Sequence, residues 1–363
     1  MRQSPPSHLD DPALRREIRF CEAVPGVRVA YATVGRGPAL VVPAGWIGHL
    51  ELMWRDPAVR AFYAPLAACR TVVCYDKPGC GLSDDWPGRP TLDTDLTVLQ
   101  AVVDHLELEH FDLLGISVGA PVSLAFAARQ PARVRRLVVY GGYADGRLIA
   151  SAEVRAAMLD MVRAHWGLGS DVLANIFLPD GSTPMKAQFA ELQRGAASAE
   201  VACQLLEQCY EVRVDDLLDR ITAPTLVLHR DADRAIPYRL GRDLAVRIAG
   251  ARLVSLAGRS HFPYAGDAAS VVGPILEFLG EAANQPLAAL SGRGSNPLTA
   301  RQSQVAALIA EGLTNRQIAD RLGIEERSAE GHVERIRRRL GVASRVQVAS
   351  WWIRRSQDGE VPG

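Results

Sequence analysis

Lysine is almost missing from this chain: Lys77 and Lys186 are the only two, and the other 39 of its 41 basic side chains are arginine. So one-sided a choice between two cations reads as genome composition rather than function. Long apolar runs are missing as well. No stretch approaches the roughly 18 residues of a bilayer-spanning helix, and the opening Met1-Arg2-Gln3-Ser4-Pro5-Pro6 lacks the apolar core of an export signal. No membrane contact is expected, and a cytoplasmic location is. The cysteines at 21, 69, 74, 80, 203 and 209 have no C-x-x-C spacing, so they read as reduced thiols. His8, His105, His110 and His229 fall in no metal-ligand spacing with Cys or carboxylates. Neither a metal nor a cofactor is expected. Internal repeats and low-complexity tracts are also lacking.

What is present is a folded chain of 363 residues, 48% apolar and 23% charged. At about 150 residues per domain, that length suggests two domains. The formal charge of zero hides an asymmetry. Between Ser295 and Arg355 there are 11 Arg and no Lys against six acidic residues, about five positive charges in excess. One end of the chain is therefore the end expected to meet a polyanion.

From residue 18 to 280, short apolar runs alternate with amphipathic helix-length stretches. Strands are expected at Val27–Val34, Ala39–Val42, Thr71–Cys74, Phe111–Leu114, Leu137–Tyr140, Pro224–Leu228 and Arg252–Leu256. Helices are expected at Pro57–Ala68, Leu92–Leu106, Ser117–Arg129 and Tyr238–Ala249. Most of the strands are continuous Val/Leu/Ile runs, as in a mainly parallel sheet covered on both faces. The expectation is a three-layer α/β domain. Only helical patterns occur over about 145–220, which suggests a cap over the sheet's C-terminal edge, where such folds bind ligands. Residues 1–17 read as an N-terminal extension, 281–296 as a linker, 297–356 as a separate all-α domain and 357–363 as a tail.

Gly115-Ile116-Ser117-Val118-Gly119 lies between an apolar strand and a helix. A strand-to-helix turn this tight needs glycine on both sides. It lifts a serine hydroxyl to a helix start, where backbone N–H groups favour developing negative charge. A serine needs a base, and the base an orienting acid. Asp231 and Asp233 follow one expected strand, and His261 follows the last. All of these fall on the same sheet edge as Ser117. A helix-capping Asp and a surface His are the alternatives for the two partners. The glycine-rich Tyr75–Asp84 lacks phosphate-loop spacing and reads as a structural turn.

The stretches VVPAGWIGHLELMW, VVCYDKPGCGLSD, LLGISVGA, TLVLHRDADRAIP and GRSHFPYAGD resemble the α/β-hydrolase superfamily over residues 20 to 280. Within it they are similar to the hydrolase-like domains joined to regulatory or cyclase domains. The resemblance implies a triad of Ser117, Asp233 and His261, choosing Asp233 over Asp231 through its Asp-x-x-Ile-Pro context. It also implies an oxyanion hole from the amides of Trp46 and Val118. The sequence departs from the family at Ala44-Gly45, usually His-Gly, and at Ser260, often Gly; neither change removes a backbone donor. Trp46, His49, Trp54, His165 and Trp166 are candidates to line the pocket, with packing and solvation as the alternative for each.

The C-terminal 60 residues read as helices separated by caps. Thr299 caps a helix over 301–311, Thr314 one over 315–322, a third runs from 326 to 340, and Ser344 caps a fourth. This suggests a helix-turn-helix. On the third helix, Ala329, Val333, Ile336 and Leu340 form a buried stripe. Arg327, Glu330, Gly331, Glu334, Arg335 and Arg338 are left facing outward, where the bare Gly331 permits close approach to a DNA groove. LT-x-R, EGLTN-x-x-IA-x-x-LGI, EGHV and LGV-x-SR resemble the LuxR-type helix-turn-helix family, with mild departures at Gln302 and Ser328-Ala329. The resemblance implies phosphate contacts from Thr314, Asn315, Arg316 and Ser328, with charge added by Arg335, Arg337 and Arg338. Base reading falls to Glu330, Gly331 and Glu334. It also implies a homodimer through the fourth helix (Val346, Val348, Ala349, Trp352), although Trp351 and Trp352 could equally pack inside the domain.

The expectation is a regulator of transcription that binds double-stranded promoter DNA. Its hydrolase-like domain senses a small, mostly apolar carbonyl ligand. A working serine esterase or lactonase tethered to DNA is the alternative, and a receptor acylated once is a third.

Overall fold

The computed structural model describes residues 14–280, 298, 300–340, 344–345, 347–349 and 351–352, the side chains of 300 and 338–340 excepted. The expected linker, Thr299, Gly341, Val346, the tail and most of the N-terminal extension lie outside the described residues. The chain forms two compact units, 1–285 and 286–363.

The first unit holds one eight-stranded sheet. In chain order the strands are β1 (Glu17–Val24), β2 (Val27–Val34), β3 (Ala39–Val42), β4 (Thr71–Tyr75), β5 (Phe111–Ile116), β6 (Val134–Tyr140), β7 (Thr225–Arg230) and β8 (Arg252–Leu256). Their spatial order is β1-β2-β4-β3-β5-β6-β7-β8. β2 runs antiparallel to both β1 and β4, and from β4 to β8 the pairing is parallel. β3 and β7 are buried at every position and β5 at all but the last, which is why their centres are Val and Leu. Each buried Val or Leu there contributes about 1.5–3 kcal/mol. β1 escaped the sequence reading because it is an edge strand. Only Cys21 is fully buried along it, and Phe20 faces solvent, so its apolar alternation is weak.

Helices α1 (Leu50–Arg55), α2 (Pro57–Ala67), α3 (Leu92–His105), α4 (Gly119–Arg129), α9 (Tyr238–Arg247) and α10 (Ala269–Phe278) belong to this unit. α3, α4 and α9 pack on one face of the sheet, and α2 and α10 on the other. Between β6 and β7 stands the helical cap: α5 (Ala152–Ala164), α6 (Trp166–Phe177), α7 (Thr183–Ala196) and α8 (Ala199–Glu211). Three of its helices start at a serine, Ser151, Ser182 and Ser198, whose side chain accepts the amide three residues on. The cap's apolar cluster includes Val162, Leu173, Leu205 and Leu206, and it packs onto Trp46, Val118 and Tyr143. A buried polar tie adds to this contact. Asp95 of α3 accepts from Lys77 Nζ at 2.8 Å and from Gln208 Nε2 of α8 at 2.9 Å.

The second unit holds α11 (Ala300–Ala310), α12 (Asn315–Leu322), α13 (Glu326–Leu340) and a fourth helical stretch within 345–352. Thr314 and Gln317 form a capping box before α12, and Gly323 ends that helix in the left-handed region at φ 62°. Leu298, Val305, Ile309, Ile318, Ala329 and Val333 form the core. Val348 and Trp352 belong to this same core. Trp352 thus takes the packing alternative.

Candidate active site and DNA-binding face

Ser117 sits between β5 and α4 with φ 54°, a strained left-handed value for a residue with a side chain. Its neighbours explain how the turn is held. A Cβ on Gly115 would stand 2.7 Å from Ser123 Oγ, and one on Gly119 2.7 Å from the carbonyl oxygen of Pro43. The turn therefore presses directly on the loop after β3, which carries Trp46. Among the described residues, the amides of Trp46 and Val118 donate to no protein acceptor. Two N–H groups thus stand unused on either side of the serine.

His261 and Asp233 are brought together from the loops after β8 and β7, with His261 Nδ1 2.7 Å from Asp233 Oδ2. Asp231 instead stands exposed and accepts from the Gly258 amide. The Asp233 carboxylate takes the amides of Ala235 and Ile236 on its other oxygen. Burial alone would raise its pKa. The charge and hydrogen bond of His261, with His229 and the Ile236 amide adding, instead hold it below the usual carboxylate range. His261 is 1% exposed and its Nε2 has no hydrogen-bond partner among the described residues. Gly141, at φ 56°, leaves room for this ring, since a Cβ there would stand 3.0 Å from Cε1. From the cap, the Phe177 ring stacks on the imidazole at 5.6 Å, and the Phe177 carbonyl accepts the His261 amide.

A second buried histidine, His229, lies 3.6 Å from Asp233 Oδ2 through Nε2. The same nitrogen is 2.9 Å from the carbonyl oxygen of Ile236, so it carries the proton. Burial lowers the pKa of His229, more than the neighbouring Asp233 carboxylate raises it.

Ser117 and His261 line one cavity of about 430 Å³, together with Trp46, Trp54, Phe189 and Leu192. The Trp46 indole donates to Gln193 Oε1 of α7 at 3.0 Å. Three expected lining residues are elsewhere. His49 caps α1 by accepting the Glu51 amide, and His165 caps α6 by accepting the Leu168 amide. Trp166 donates to the Ala197 carbonyl and packs within the cap. Each of the three meets a local need, helix capping or cap packing, that residue type alone does not reveal. Arg16, Phe177, Gln188 and Tyr264 line the cavity and were not singled out from the sequence. Phe177 and Gln188 lie in cap helices without a motif, and Arg16 lies in the segment that reads as an N-terminal extension. The glycine-rich turn after β4 is structural: the Asp76 carboxylate accepts the Leu50 and Leu82 amides, and at Gly81 a Cβ would stand 2.2 Å from Asp76 Oδ2.

On the second unit, Arg316, Arg327, Ser328, Glu330, Glu334 and Arg335 are exposed. A Cβ on Gly331 would meet nothing closer than the Arg335 guanidinium at 3.6 Å. Arg337 pairs with Glu334 at 3.2 Å. The side chain of Arg338 lies outside the described residues. Thr314 spends its hydroxyl in the capping box, and Asn315 Oδ1 accepts from Arg345 Nη1 at 2.7 Å. Arg345 also donates to the Leu313 carbonyl, so it ties the fourth helix to the start of α12.

The alpha/beta hydrolase fold family matches residues 38–268, and the chain belongs to it. Residues 296–352 match the bacterial regulatory proteins of the luxR family, so the same chain carries a DNA-binding domain of the transcription-regulator type. Among curated relatives, a 2-hydroxymuconate semialdehyde hydrolase of Pseudomonas sp. (strain CF600) is 31% identical over 271 residues, covering 68% of this chain and 85% of that one. A pyrrolizixenacetamide deacetylase of Xenorhabdus hominickii is 26% identical over 236 residues, covering 63% of this chain and 86% of that one. Among solved structures, an enol-lactonase from Burkholderia xenovorans LB400 superposes with TM-score 0.62 at 24% identity, over 72% of this chain and all of that one. That likeness bears on the fold alone. Among the described residues, no helix is long and apolar enough to cross a membrane.

Proposed function

We propose that this protein is a cytoplasmic transcription regulator whose hydrolase-fold unit binds a small, mostly apolar carbonyl compound beside Ser117, and that this binding sets how its LuxR-type unit engages promoter DNA. The observation that carries the reading is the Asp233–His261 pair and the strained Ser117, buried at one cavity, in a chain that also carries a LuxR-type domain. Ligand binding changes DNA affinity only by differential affinity for two arrangements of the protein. On the DNA side, Thr314, Asn315, Arg316 and Ser328 contact phosphates, Arg335, Arg337 and Arg338 add positive charge, and Glu330, Gly331 and Glu334 face the bases. Two copies bind a two-fold symmetric site.

A second reading has its own support: the partnerless Nε2 of His261 and the two unused amides are what a working esterase or lactonase needs. In that case Ser117 Oγ attacks the carbonyl carbon while His261 Nε2 takes its proton, and Asp233 steadies the imidazolium. The amides of Trp46 and Val118 receive the oxyanion. The alkoxide then leaves with the proton from His261, and water repeats the sequence on the acyl-serine to release the acid.

Intact mass after treatment with a fluorophosphonate separates the two readings. One adduct on the wild type and none on Ser117→Ala is expected if the serine is activated, and esters and lactones are then screened for turnover. Absence of an adduct on both folded proteins removes the esterase and leaves a sensor that binds without reaction.

A further inference from the structure

Five ionisable side chains besides Tyr and Cys line the cavity: Arg16, Asp56, Asp76, Lys77 and His261. Four have partners. Lys77 is paired with Asp95, Asp56 caps α2 by accepting the Ala58 amide, Asp76 accepts two amides, and His261 meets Asp233. Arg16 does not. Its guanidinium lies 4.8 Å over the ring of Trp54 and forms no ion pair or hydrogen bond with any described residue. It is half-buried, and the loss of water there lowers its pKa. Asp76 and Glu51 act on it only at longer range and do not offset that loss, and a cation held partly out of water against an aromatic face without a direct carboxylate partner is costly unless something else supplies one.

The strand register places the backbone of Arg16 far from that of Ser117. Glu17 pairs with Thr33, so Arg16 stands level with Val34, which pairs with Val72; Leu40 then pairs with both Val72 and Asp112. Arg16 is thus level with Asp112 on β5 but four strands across, while Ser117 lies five residues farther along. At about 3.3 Å per residue and about 4.8 Å per strand, the two Cα atoms are on the order of 25 Å apart. The arginine side chain spans part of that distance. A cavity of about 430 Å³ that is lined by both residues has room for little more than a single unbranched chain between them. Its length is walled by apolar side chains such as Val34, Val59, Tyr63, Ile47 and Leu192.

We infer that the ligand is an elongated, unbranched amphiphile with a carbonyl group at Ser117 and a carboxylate at the far end, paired with Arg16. The inference rests on the proposal that Ser117 faces the ligand's carbonyl. A guanidinium stacked on an indole keeps its edge free for a planar carboxylate in a bidentate pair. The ligand's anion offsets the desolvation that Arg16 carries in its absence.

The probes are monomethyl dodecanedioate, with an ester at one end and a carboxylate at the other, and its neutral dimethyl ester. Titration calorimetry in the Ser117→Ala background keeps both esters intact. The monoester is expected to bind roughly tenfold or more tightly than the diester. Arg16→Met should remove that preference, read as the ratio of the two Kd values within each variant, and Arg16→Lys should restore part of it. Monomethyl succinate, too short to reach both ends, should show no benefit from Arg16. Equal affinities, a preference that survives Arg16→Met, or binding of neither probe would overturn the inference. Fluorophosphonate labelling of the wild type and of Arg16→Met tells the two levels apart. Labelling without a charge preference defeats the role of Arg16 alone, whereas neither labelling nor binding defeats the Ser117 reading with it.

Discussion

The two units place their working groups in opposite surroundings. In the hydrolase-fold unit, Ser117, His261 and the side chain of Asp233 are buried, and each is held by backbone strain, by packed glycines or by hydrogen bonds to loops. On the LuxR-type unit, Glu330, Glu334 and Arg335 stand in solvent on a helix whose opposite face is packed. A buried site is specified by what surrounds it, so its chemistry and its stability are coupled. An exposed face is specified by one helix and its charges, so recognition and folding are close to independent. The same substitution should therefore do different things in the two halves.

Two glycines give the sharpest contrast. In α4, Gly119→Ala forces a Cβ against the Pro43 carbonyl at 2.7 Å, and a backbone oxygen cannot step aside cheaply. A destabilisation of about 1–3 kcal/mol is expected for overpacking of this kind. Displacement of the loop carrying Trp46 should follow, read as a lower denaturation midpoint and weaker fluorophosphonate labelling. Gly331→Ala adds a Cβ that meets only the end of the Arg335 side chain, at an ordinary contact distance of 3.6 Å, so the fold should gain about 0.5–1 kcal/mol. DNA affinity should nonetheless fall, because a groove wall now meets a methyl group. Equal stability losses at both positions would erase the contrast.

Arg335→Ala tests the exposed face by charge alone. Removing one phosphate-neutralising cation should weaken binding across DNA sequences and reduce the slope of log affinity against log salt by about one. The denaturation midpoint should hold. An unchanged slope would take Arg335 off the DNA-facing surface.

The same contrast decides what could be read from the residues. Ser117 was legible because a tight strand-to-helix turn needs glycines at fixed spacing, and α13 was legible because its buried stripe repeats at helical period. Asp233 could be separated from Asp231 only through the family's Asp-x-x-Ile-Pro context, since both follow the same strand. His49, His165 and Trp166 were misplaced because a polar aromatic near a pocket and one that caps a helix look alike in sequence. Arg16 left no signal at all. Its place in the cavity wall depends on pairing between β1 and β2, and β1 is an edge strand whose apolar face is mostly exposed.

The smallest effect expected lies at His229, where the buried site should betray itself by pH. Its pKa in the folded protein is below the ordinary imidazole value because burial disfavours the charged ring. Near pH 7.5 the ring is neutral in both folded and unfolded chains and costs nothing. As pH falls below about 6.5 the unfolded chain takes up a proton that the folded one refuses, so stability declines until the folded pKa is passed. His229→Gln can keep a donor for the Ile236 carbonyl without titrating. Its denaturation midpoint should therefore lose less between pH 7.5 and 5.5 than the wild type's does, with Asp233 contributing little over that range because its carboxyl is held below the usual carboxylate range. Parallel pH profiles for the wild type and His229→Gln would mean that the buried imidazole is protonated as readily as a free one, and that the site is wetter than its packing implies.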